Sequence, residues 1–202
     1  LLNDQNLADY IRLPDYIERK KDAGQIPMAG YADLMRFALL EHYGGTWIDS
    51  TVYLTESIPD MILNSDFFAV RNSLLLIDNP VLYPAWFLHA KKENKTIREI
   101  RNVAFAYWLK NEHVIEYLLP NLIITLVVKS NPEVEKAIPY MNSDYSEYLV
   151  KVLADDYSEE KWNWIKKLTG IHKLTYKLDA DIKHGHNFYD YLITSSDEKN
   201  TK

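Results

Sequence analysis

The sequence of 202 residues contains no cysteine. A disulfide scaffold and any metal site built from thiolates are therefore excluded, and the absence fits a reducing compartment. Long apolar runs are also missing. The longest, residues 114–128, is interrupted by Glu116, Pro120 and Asn121 and is too short to cross about 30 Å of hydrocarbon. These absences predict a cytoplasmic protein without a transmembrane segment, and they leave peripheral association with the inner face of the cell membrane open.

An excess of positive charge is absent as well, since the formal net charge is -6. A broad nucleic-acid surface would need clustered lysine and arginine, so nucleic acid is not expected as a partner. One acidic small ligand held by local cations remains compatible with this charge. The first residues show no charged segment followed by an apolar core, which argues against a signal peptide. The chain also starts without methionine, and we expect an upstream segment to be missing.

The length and the hydrophobic content of 47% suffice for one sizeable core, and we predict a single domain over residues 1–194 with a polar tail at 195–202. Residues 3–23 resemble two short helices. Strands are predicted at 46–48, 52–54, 67–71, 74–77, 85–88 and 174–176. Helices are predicted at 29–43, 96–110, 115–127, 145–155 and 159–168, with a last helix after His186. Strands in the middle and helices in the second half predict an α/β or α+β fold.

Residues 31–51 join an almost wholly apolar helix to a strand through Gly44-Gly45, yet they include Asp33, Arg36 and Asp49. An unpaired buried charge costs several kcal/mol, so this segment is the first candidate for a site. Asp33 and Arg36 share a helix face, which is also the spacing of an ordinary intrahelical ion pair. Asp49 follows a short strand, where ligands often gather, but turn carboxylates also bond to nearby backbone N–H groups. Taken singly, these residues leave both interpretations open.

The order of these residues is more specific than any one of them. The segments Ala32-Asp-Leu-Met-Arg36 and Tyr43-Gly-Gly-Thr-Trp-Ile-Asp-Ser-Thr-Val52 resemble the donor-site signature of sugar-nucleotide glycosyltransferases with a DXD motif. In their details they most resemble the bacterial capsular polysaccharide synthesis proteins. Leu13-Pro-Asp-Tyr-Ile17 and Ile171-His-Lys-Leu-Thr-Tyr176 are also similar to that family. The resemblance therefore extends over most of the chain.

The resemblance implies an α/β fold of GT-A type, in which a Rossmann-like nucleotide-sugar-binding sheet is flanked by helices. Residues 1–90 would form the donor-binding α/β part, and the mainly helical residues 91–194 would close the cleft. The first N-terminal strand of such a sheet is expected to be absent from this chain. The implied activity moves a sugar from a nucleoside diphosphate to a hydroxyl of a growing capsular or other surface polysaccharide. A lipid-linked saccharide acceptor would fit capsule assembly.

The resemblance also assigns roles to individual residues. Asp49 matches the first Asp of the motif, and Trp47 matches the aromatic residue two positions before it. Asp33 matches the acid that grips donor-sugar hydroxyls, and Arg36 matches the cation that orients this acid and reaches toward the donor. Gly44-Gly45 matches the paired glycines that let the backbone pass close to the ligand. Asp33 and Asp49 are thus the implied catalytic residues.

The motif departs from the family pattern at Thr51, where many relatives have a second Asp. The resemblance implies a divalent cation, Mn²⁺ or Mg²⁺, held by Asp49, Thr51 and His172, which would stabilise the charge of the leaving diphosphate. One carboxylate and one hydroxyl make a weaker site, so metal dependence is left open. By the same similarity Lys173 would contact the diphosphate. Without that context, a His-Lys pair is usually a solvated surface feature.

Two other functions compete with the transferase. A catalytically degenerate glycosyltransferase-like binding module would keep the fold without turnover, and Thr51 favours it. A carbohydrate-binding or hydrolytic domain would use Asp33 and Asp49 as paired carboxylates about 5 to 10 Å apart. Arg36 favours the ionised form of Asp33, which makes Asp33 a poor general acid. The residues identify no general base, so retaining and inverting chemistry both remain open.

Three weaker candidates lie outside the central segment. Asp144 is predicted at a helix N-terminus, where capping is the expected role and a general base the reserve. His184-Gly-His186 has the spacing of a metal pair, but nothing nearby completes the site, so we predict a surface turn. Arg71-Asn72 ends a predicted strand and is a further candidate for lining the cleft.

Overall fold

A computed structural model describes residues 6–73, 80–178, 182 and 185–200, with side chains up to Ser195. The chain divides into two compact units, and both are discontinuous in sequence. The first unit comprises Leu1–Ile48 and Pro59–Met141, and the second comprises Asp49–Ile58 and Asn142–Lys202. The single domain over residues 1–194, divided near residue 90, stays a prediction.

The described residues form eleven helices and five strands. The helices are α1 (Leu7–Tyr10), α2 (Asp15–Asp22), α3 (Met28–Tyr43), α4 (Asp60–Leu63), α5 (Lys95–Lys110), α6 (Leu119–Lys129), α7 (Pro132–Ala137), α8 (Ser143–Ser146), α9 (Tyr148–Lys151), α10 (Glu159–Leu168) and α11 (Phe188–Asn200). The strands are β1 (Gly45–Ile48), β2 (Val52–Leu54), β3 (Phe67–Ala69), β4 (Phe87–Ala90) and β5 (Ile171–Lys173).

The first unit is built around α3, which packs against α5 and the β1 strand. Apolar side chains recur on several sides of α3, which is typical of a buried helix. Leu34, Phe37 and Leu40 are buried. The Asn94 side chain caps α5 by accepting hydrogen bonds from the N–H groups of Thr96 and Ile97. Beside these helices, a three-stranded antiparallel sheet has the order β1-β4-β3. All four residues of β4 are buried.

The second unit contains the antiparallel pair β2-β5, in which Val52 lies opposite Lys173 and Leu54 opposite Ile171. Short helices α8 and α9 pack against β5. The core of this unit consists of buried residues from the helices and the segments between them: Leu149, Val152, Leu153, Trp162, Ile165, Phe188 and Leu192. Burial of these groups supplies the apolar contacts that hold the two short strands.

Several predicted elements are confirmed and several are wrong in their limits. The predicted helix at 29–43, strand at 52–54 and helix at 159–168 match α3, β2 and α10 within one residue. The helix predicted from 115 begins at Leu119, and the helix predicted over 145–155 is two short helices, α8 and α9. The last strand lies at Ile171–Lys173 rather than 174–176. The predicted strand at 74–77 falls outside the described residues.

The predicted α/β composition is confirmed in its coarser form, a mixed α/β protein with more helix than strand. Every strand pair among the described residues is antiparallel. These pairs do not confirm the parallel, Rossmann-like sheet of a GT-A fold, which stays a prediction. None of the described helices combines the length and apolar content that a membrane crossing requires.

Candidate functional site

In the first unit, the side chain of Arg36 is the centre of a buried polar group, which we call the Arg36 cluster (Asp33, Arg36, Trp47 and Ala85). The Arg36 Nη1 donates to the Ala85 carbonyl at 2.6 Å and lies 3.2 Å from Asp33 Oδ1. The guanidinium lies 4.8 Å from the centroid of the Trp47 ring. The predicted contact between Asp33 and Arg36 is therefore confirmed.

The local sequence explains this arrangement. Asp33 and Arg36 are one helical turn apart on α3, and β1 carries Trp47 against the same helix. The Arg36 side chain is only 9% exposed and that of Asp33 only 19% exposed. A guanidinium can be buried at this position because a carboxylate, a carbonyl and an aromatic face surround it. The cluster fixes the orientation of the Asp33 carboxylate.

The two glycines between α3 and β1 differ in their surroundings. Gly44 ends α3, with its N–H bonded to the Leu40 carbonyl at 2.8 Å, and it has a φ of 71°. A Cβ at Gly44 would lie 2.5 Å from the backbone nitrogen of Lys92, so the close approach here is to the protein's own backbone. A Cβ at Gly45, where φ is 98°, would have nothing within 4 Å. An approach of ligand to Gly45 stays a prediction.

In the second unit, Lys173 joins the residues of the DXD-like position into a second polar group, the Lys173 cluster (Asp49, Thr51 and Lys173). Its Nζ lies 3.3 Å from Asp49 Oδ2 and donates a hydrogen bond to the Thr51 hydroxyl. The Lys173 and Asp49 side chains are 23% and 28% exposed. The predicted site thus contains a preorganised ammonium group that a small molecule in solvent can reach.

Backbone hydrogen bonds hold the three residues of the Lys173 cluster in register. The Val52 N–H donates to the Asp49 carbonyl at 2.9 Å, which closes a turn before β2. The Leu174 N–H donates to the Thr51 carbonyl at 2.8 Å and extends the β2-β5 ladder. Because both elements are tied at this point, the position of the ammonium is set by the strand pairing rather than by side-chain rotamers alone.

His172 is not brought to Asp49 and Thr51, although it was predicted as a metal ligand with them. Successive side chains of a strand point to opposite faces, so His172 and Lys173 on β5 face different ways. The His172 side chain is fully buried, its Nε2 lies 3.2 Å from the Thr55 hydroxyl, and its ring lies 6.2 Å from that of Trp162. His172 is therefore a core residue of the second unit.

The residues of this region do not fit a divalent cation as they are arranged. The Lys173 ammonium already contacts the oxygens of both Asp49 and Thr51, and a metal there would be repelled by it. Across the part of the chain that the structure describes, no group of three His, Asp or Glu side chains could hold a metal ion.

One carboxyl group near Lys173 has no signal in the sequence. Glu147 lies between α8 and α9, and burial raises its pKa above the ordinary value. The charge of Lys151 opposes this shift, that of Asp144 adds to it, and that of Lys173 opposes it. Glu147 is thus a partly desolvated carboxyl group on which the Lys173 charge acts. No breaker or capping pattern marks its position in the sequence.

Burial lowers the pKa of His172 from 6.5 to about 4. We expect the His172 ring to stay neutral in the folded protein when the pH is lowered from 7 to 5. The unfolded chain takes up this proton near pH 6.5, whereas the folded chain takes it up only near pH 4. The free energy of unfolding is therefore highest above pH 6.5 and decreases as the pH falls toward 4, by about 3 kcal/mol in total. A ¹⁵N NMR titration of the imidazole measures this directly, with exposed His42 as the control. A midpoint for His172 near 6.5 in the folded protein would contradict the buried position.

The weaker candidates have structural roles. Asp144 lies in the first turn of α8, and Asn142 is the cap, accepting from the Asp144 N–H at 2.9 Å. Arg71 pairs with Glu135 at 3.3 Å, and the Asn72 side chain donates to the Val81 carbonyl at 2.9 Å. His184 lies outside the described residues.

The fold and the two clusters define a mixed α/β protein with a partly buried, oriented acid in one unit and a partly buried, oriented ammonium group in the other. The family model described as capsular polysaccharide synthesis protein matches residues 1–192, and the chain therefore belongs to this family. The predicted family is confirmed, and its name implies involvement in capsular polysaccharide synthesis. No curated protein matches the chain.

Proposed function

We propose that this protein is a nucleotide-sugar-dependent glycosyltransferase of hexosyltransferase type. It transfers a sugar from a nucleoside-diphosphate sugar to a hydroxyl of a growing capsular or other surface polysaccharide. The observation that carries the proposal is the Lys173 ammonium, held by Asp49 and Thr51 at the DXD-like position of a chain that belongs to the capsular polysaccharide synthesis family. The GT-A type arrangement and a cytoplasmic location belong to the same proposal.

Lys173 acts on the leaving group. Transfer breaks the bond between the anomeric carbon and the diphosphate oxygen and forms a bond from that carbon to the acceptor oxygen, and the proton of the acceptor hydroxyl passes to the released diphosphate or to water. Negative charge grows on the diphosphate as the first bond breaks. A fixed ammonium group stabilises this charge without having to reorganise during the reaction. Asp49 and Thr51 hold the ammonium in place, so their contribution is to position Lys173.

The Arg36 cluster acts on the donor sugar. Asp33 accepts hydrogen bonds from sugar hydroxyls, as an ionised carboxylate does well. Arg36 pairs with Asp33 and fixes its direction, because its guanidinium is itself held by the Ala85 carbonyl and the Trp47 ring. Gly45, whose missing side chain leaves open space, lets the donor approach the backbone.

We further propose that the Lys173 ammonium takes the place of the divalent cation that a second Asp at position 51 would help to hold. Thr51 suits this arrangement because a hydroxyl accepts a hydrogen bond from the ammonium without adding a second negative charge. The charge that the diphosphate meets is then supplied by a side chain. The Mn²⁺ or Mg²⁺ predicted from the family resemblance would not be required.

An apolar cavity in the second unit supports a lipid-linked acceptor. It has a volume of about 300 Å³, and its lining includes Tyr53, Leu153, Leu174, Leu178 and Leu192. Leu174 directly follows Lys173 in the chain and Tyr53 lies opposite His172, so by the alternation of strand side chains the cavity lies on the other face of the β2-β5 pair from the ammonium. The saccharide part of the acceptor would supply the reacting hydroxyl, and an apolar anchor would occupy the cavity.

The degenerate binding module is the second candidate function. It is favoured by the same Thr51, because a chain that lost its metal site could bind a nucleotide sugar without turning it over. The two functions differ in one measurable property, which is the consumption of donor in the presence of acceptor. Binding without consumption would favour the module.

Donor binding is tested by the change in melting temperature on addition of UDP- and GDP-sugars, with and without Mn²⁺ or Mg²⁺. We expect stabilisation by at least one nucleotide sugar, and we expect Asp49→Asn to remove most of it because Lys173 loses its charged partner. Asp66→Asn is the matched control, since Asp66 forms an exposed ion pair with Lys91 at 2.7 Å. Equal stabilisation of the Asp49→Asn and wild-type proteins would remove Asp49 from the donor site.

A further inference from the structure

The first unit contains a cavity that the proposed donor site does not use. Its volume is about 250 Å³, which suits one sugar ring rather than an oligosaccharide. It is formed by the segment after α1, by the second half of α3 and by one face of α5. The lining combines cationic, acidic and aromatic side chains, among them Tyr10, Arg12, Glu41, His42, Arg101 and Phe105.

This cavity lies on the other side of α3 from the Arg36 cluster. Each residue turns a helix by about 100°, so Ala38 and His42 project away from the directions of both Asp33 and Arg36. The cavity and the Arg36 cluster are therefore separate places on one helix. A ligand in the cavity would occupy a second site within the first unit.

The charges around the cavity favour an anionic ligand. Glu41 is held by two arginines, with Arg101 Nη1 at 2.9 Å and Arg98 Nε at 3.0 Å, and its side chain is only 13% exposed. Its negative charge is thus neutralised within the protein. Arg12 adds a further positive charge at the cavity and makes no hydrogen bond or ion pair with any residue that the structure describes. The local balance is positive although the whole chain has a net charge of -6.

Two parts of the cavity lining are held in place, namely the Arg101 guanidinium and the backbone that carries Tyr10. Arg101 is fixed by Glu41 and by two hydrogen bonds to the Asn102 side chain, and its guanidinium carbon lies 5.8 Å from the Phe105 ring centroid. The segment that carries Tyr10 is tied to α3, because the Tyr43 hydroxyl donates to the Tyr10 carbonyl at 2.8 Å. Aromatic rings pack against the C–H faces of sugar rings, and guanidinium groups bind carboxylates.

We propose that this cavity binds a monosaccharide unit that carries a carboxylate, with Arg12 and Arg101 at the carboxylate and Tyr10 and Phe105 against the ring. This binding is independent of the nucleotide sugar and of the Lys173 cluster. It gives the protein a second saccharide site with a preference for acidic sugars.

Saturation-transfer-difference NMR of the full chain with glucuronate, glucose and inorganic phosphate tests this proposal. We expect signals from the ring protons of glucuronate that are at least threefold stronger than those of glucose. Arg12→Gln is expected to weaken glucuronate binding at least fivefold, while Arg19→Gln, which changes an exposed arginine of α2, leaves binding unchanged. Both substitutions are at exposed positions, and equal melting temperatures verify that the variants fold.

Three results would overturn the proposal. Glucose signals equal to those of glucuronate would show that the carboxylate is not recognised. Unchanged glucuronate binding in Arg12→Gln would place the ligand elsewhere. Complete displacement of glucuronate by an equal concentration of phosphate would show a general anion site without a saccharide preference. Loss of nucleotide-sugar binding in the Asp49→Asn variant tests the donor site alone, so the two proposals fail separately.

Discussion

Lys173→Met is expected to lower the rate of sugar transfer at saturating donor by about 10²- to 10³-fold, the usual effect of removing one preorganised group that stabilises developing negative charge. Methionine has a comparable length and keeps the apolar part of the side chain, so the substitution removes mainly the charge. The measurement is the initial rate of nucleoside diphosphate release in the presence of a saccharide acceptor.

Lys167→Met is the matched control, because Lys167 is exposed on α10 of the same unit and the substitution should leave the rate unchanged. Addition of EDTA to the wild-type protein is expected to change the rate by less than about twofold, since no step requires a divalent cation when a side chain supplies the charge. A rate abolished by EDTA and restored by Mn²⁺ would contradict the role given to Lys173.

Gly44→Ala is expected to lower the free energy of unfolding by about 4 kcal/mol. A residue with a side chain at a φ of 71° is strained by about 1–3 kcal/mol, and the new Cβ would lie 2.5 Å from the Lys92 nitrogen. That neighbour is backbone, so α3 or the segment after β4 would have to shift. Urea unfolding followed by circular dichroism gives the difference in free energy.

Gly24→Ala separates the two causes. Gly24 has a φ of 72°, almost the same as Gly44, but a Cβ there would have nothing within 4 Å. The loss at Gly24 should therefore be about 1 kcal/mol, from backbone strain alone. Equal losses at the two positions would mean that the approach of Lys92 to Gly44 is not tight in solution.

The elements that could be predicted from sequence are those whose limits are set locally. The α3 helix is apolar on most sides and is followed by Gly44, so both its burial and its end are visible in the residues. Asn94 and Ser158 are capping residues that mark the starts of α5 and α10. The contact between Asp33 and Arg36 follows from helical spacing, and the structure confirms it.

Other elements have limits that the residues do not reveal. The α6 helix begins at Leu119, because Pro120 is favourable in a first turn and unfavourable further in. Glu147 interrupts the predicted helix over 145–155 with backbone angles of φ -90° and ψ 2°, although no glycine or proline lies in that range. Tertiary packing of α8 and α9 against β5 decides this interruption.

The positions of the site residues required long-range information. The pairing of Lys173 with Asp49 and Thr51 follows from the β2-β5 register, which joins distant segments, and local patterns do not specify it. The family resemblance implied that His172 would join them. Separately, the last strand was predicted at 174–176, three residues too late. With the strand at Ile171–Lys173, alternation of side chains sends His172 into the core and Lys173 to Asp49.

The pairing of β2 with β5 also has a consequence for protein synthesis. Val52 leaves the ribosome 121 residues before its partner Lys173. At a translation rate of about 5–20 residues per second, β2 waits roughly 6–24 seconds as an unpaired strand inside the sequence of the first unit. During this interval the nascent chain exposes a strand edge, which is the kind of surface that chaperones protect and that aggregation uses. Assembly of the Lys173 cluster is therefore a late event of biosynthesis, completed only when the C-terminal segment has been made.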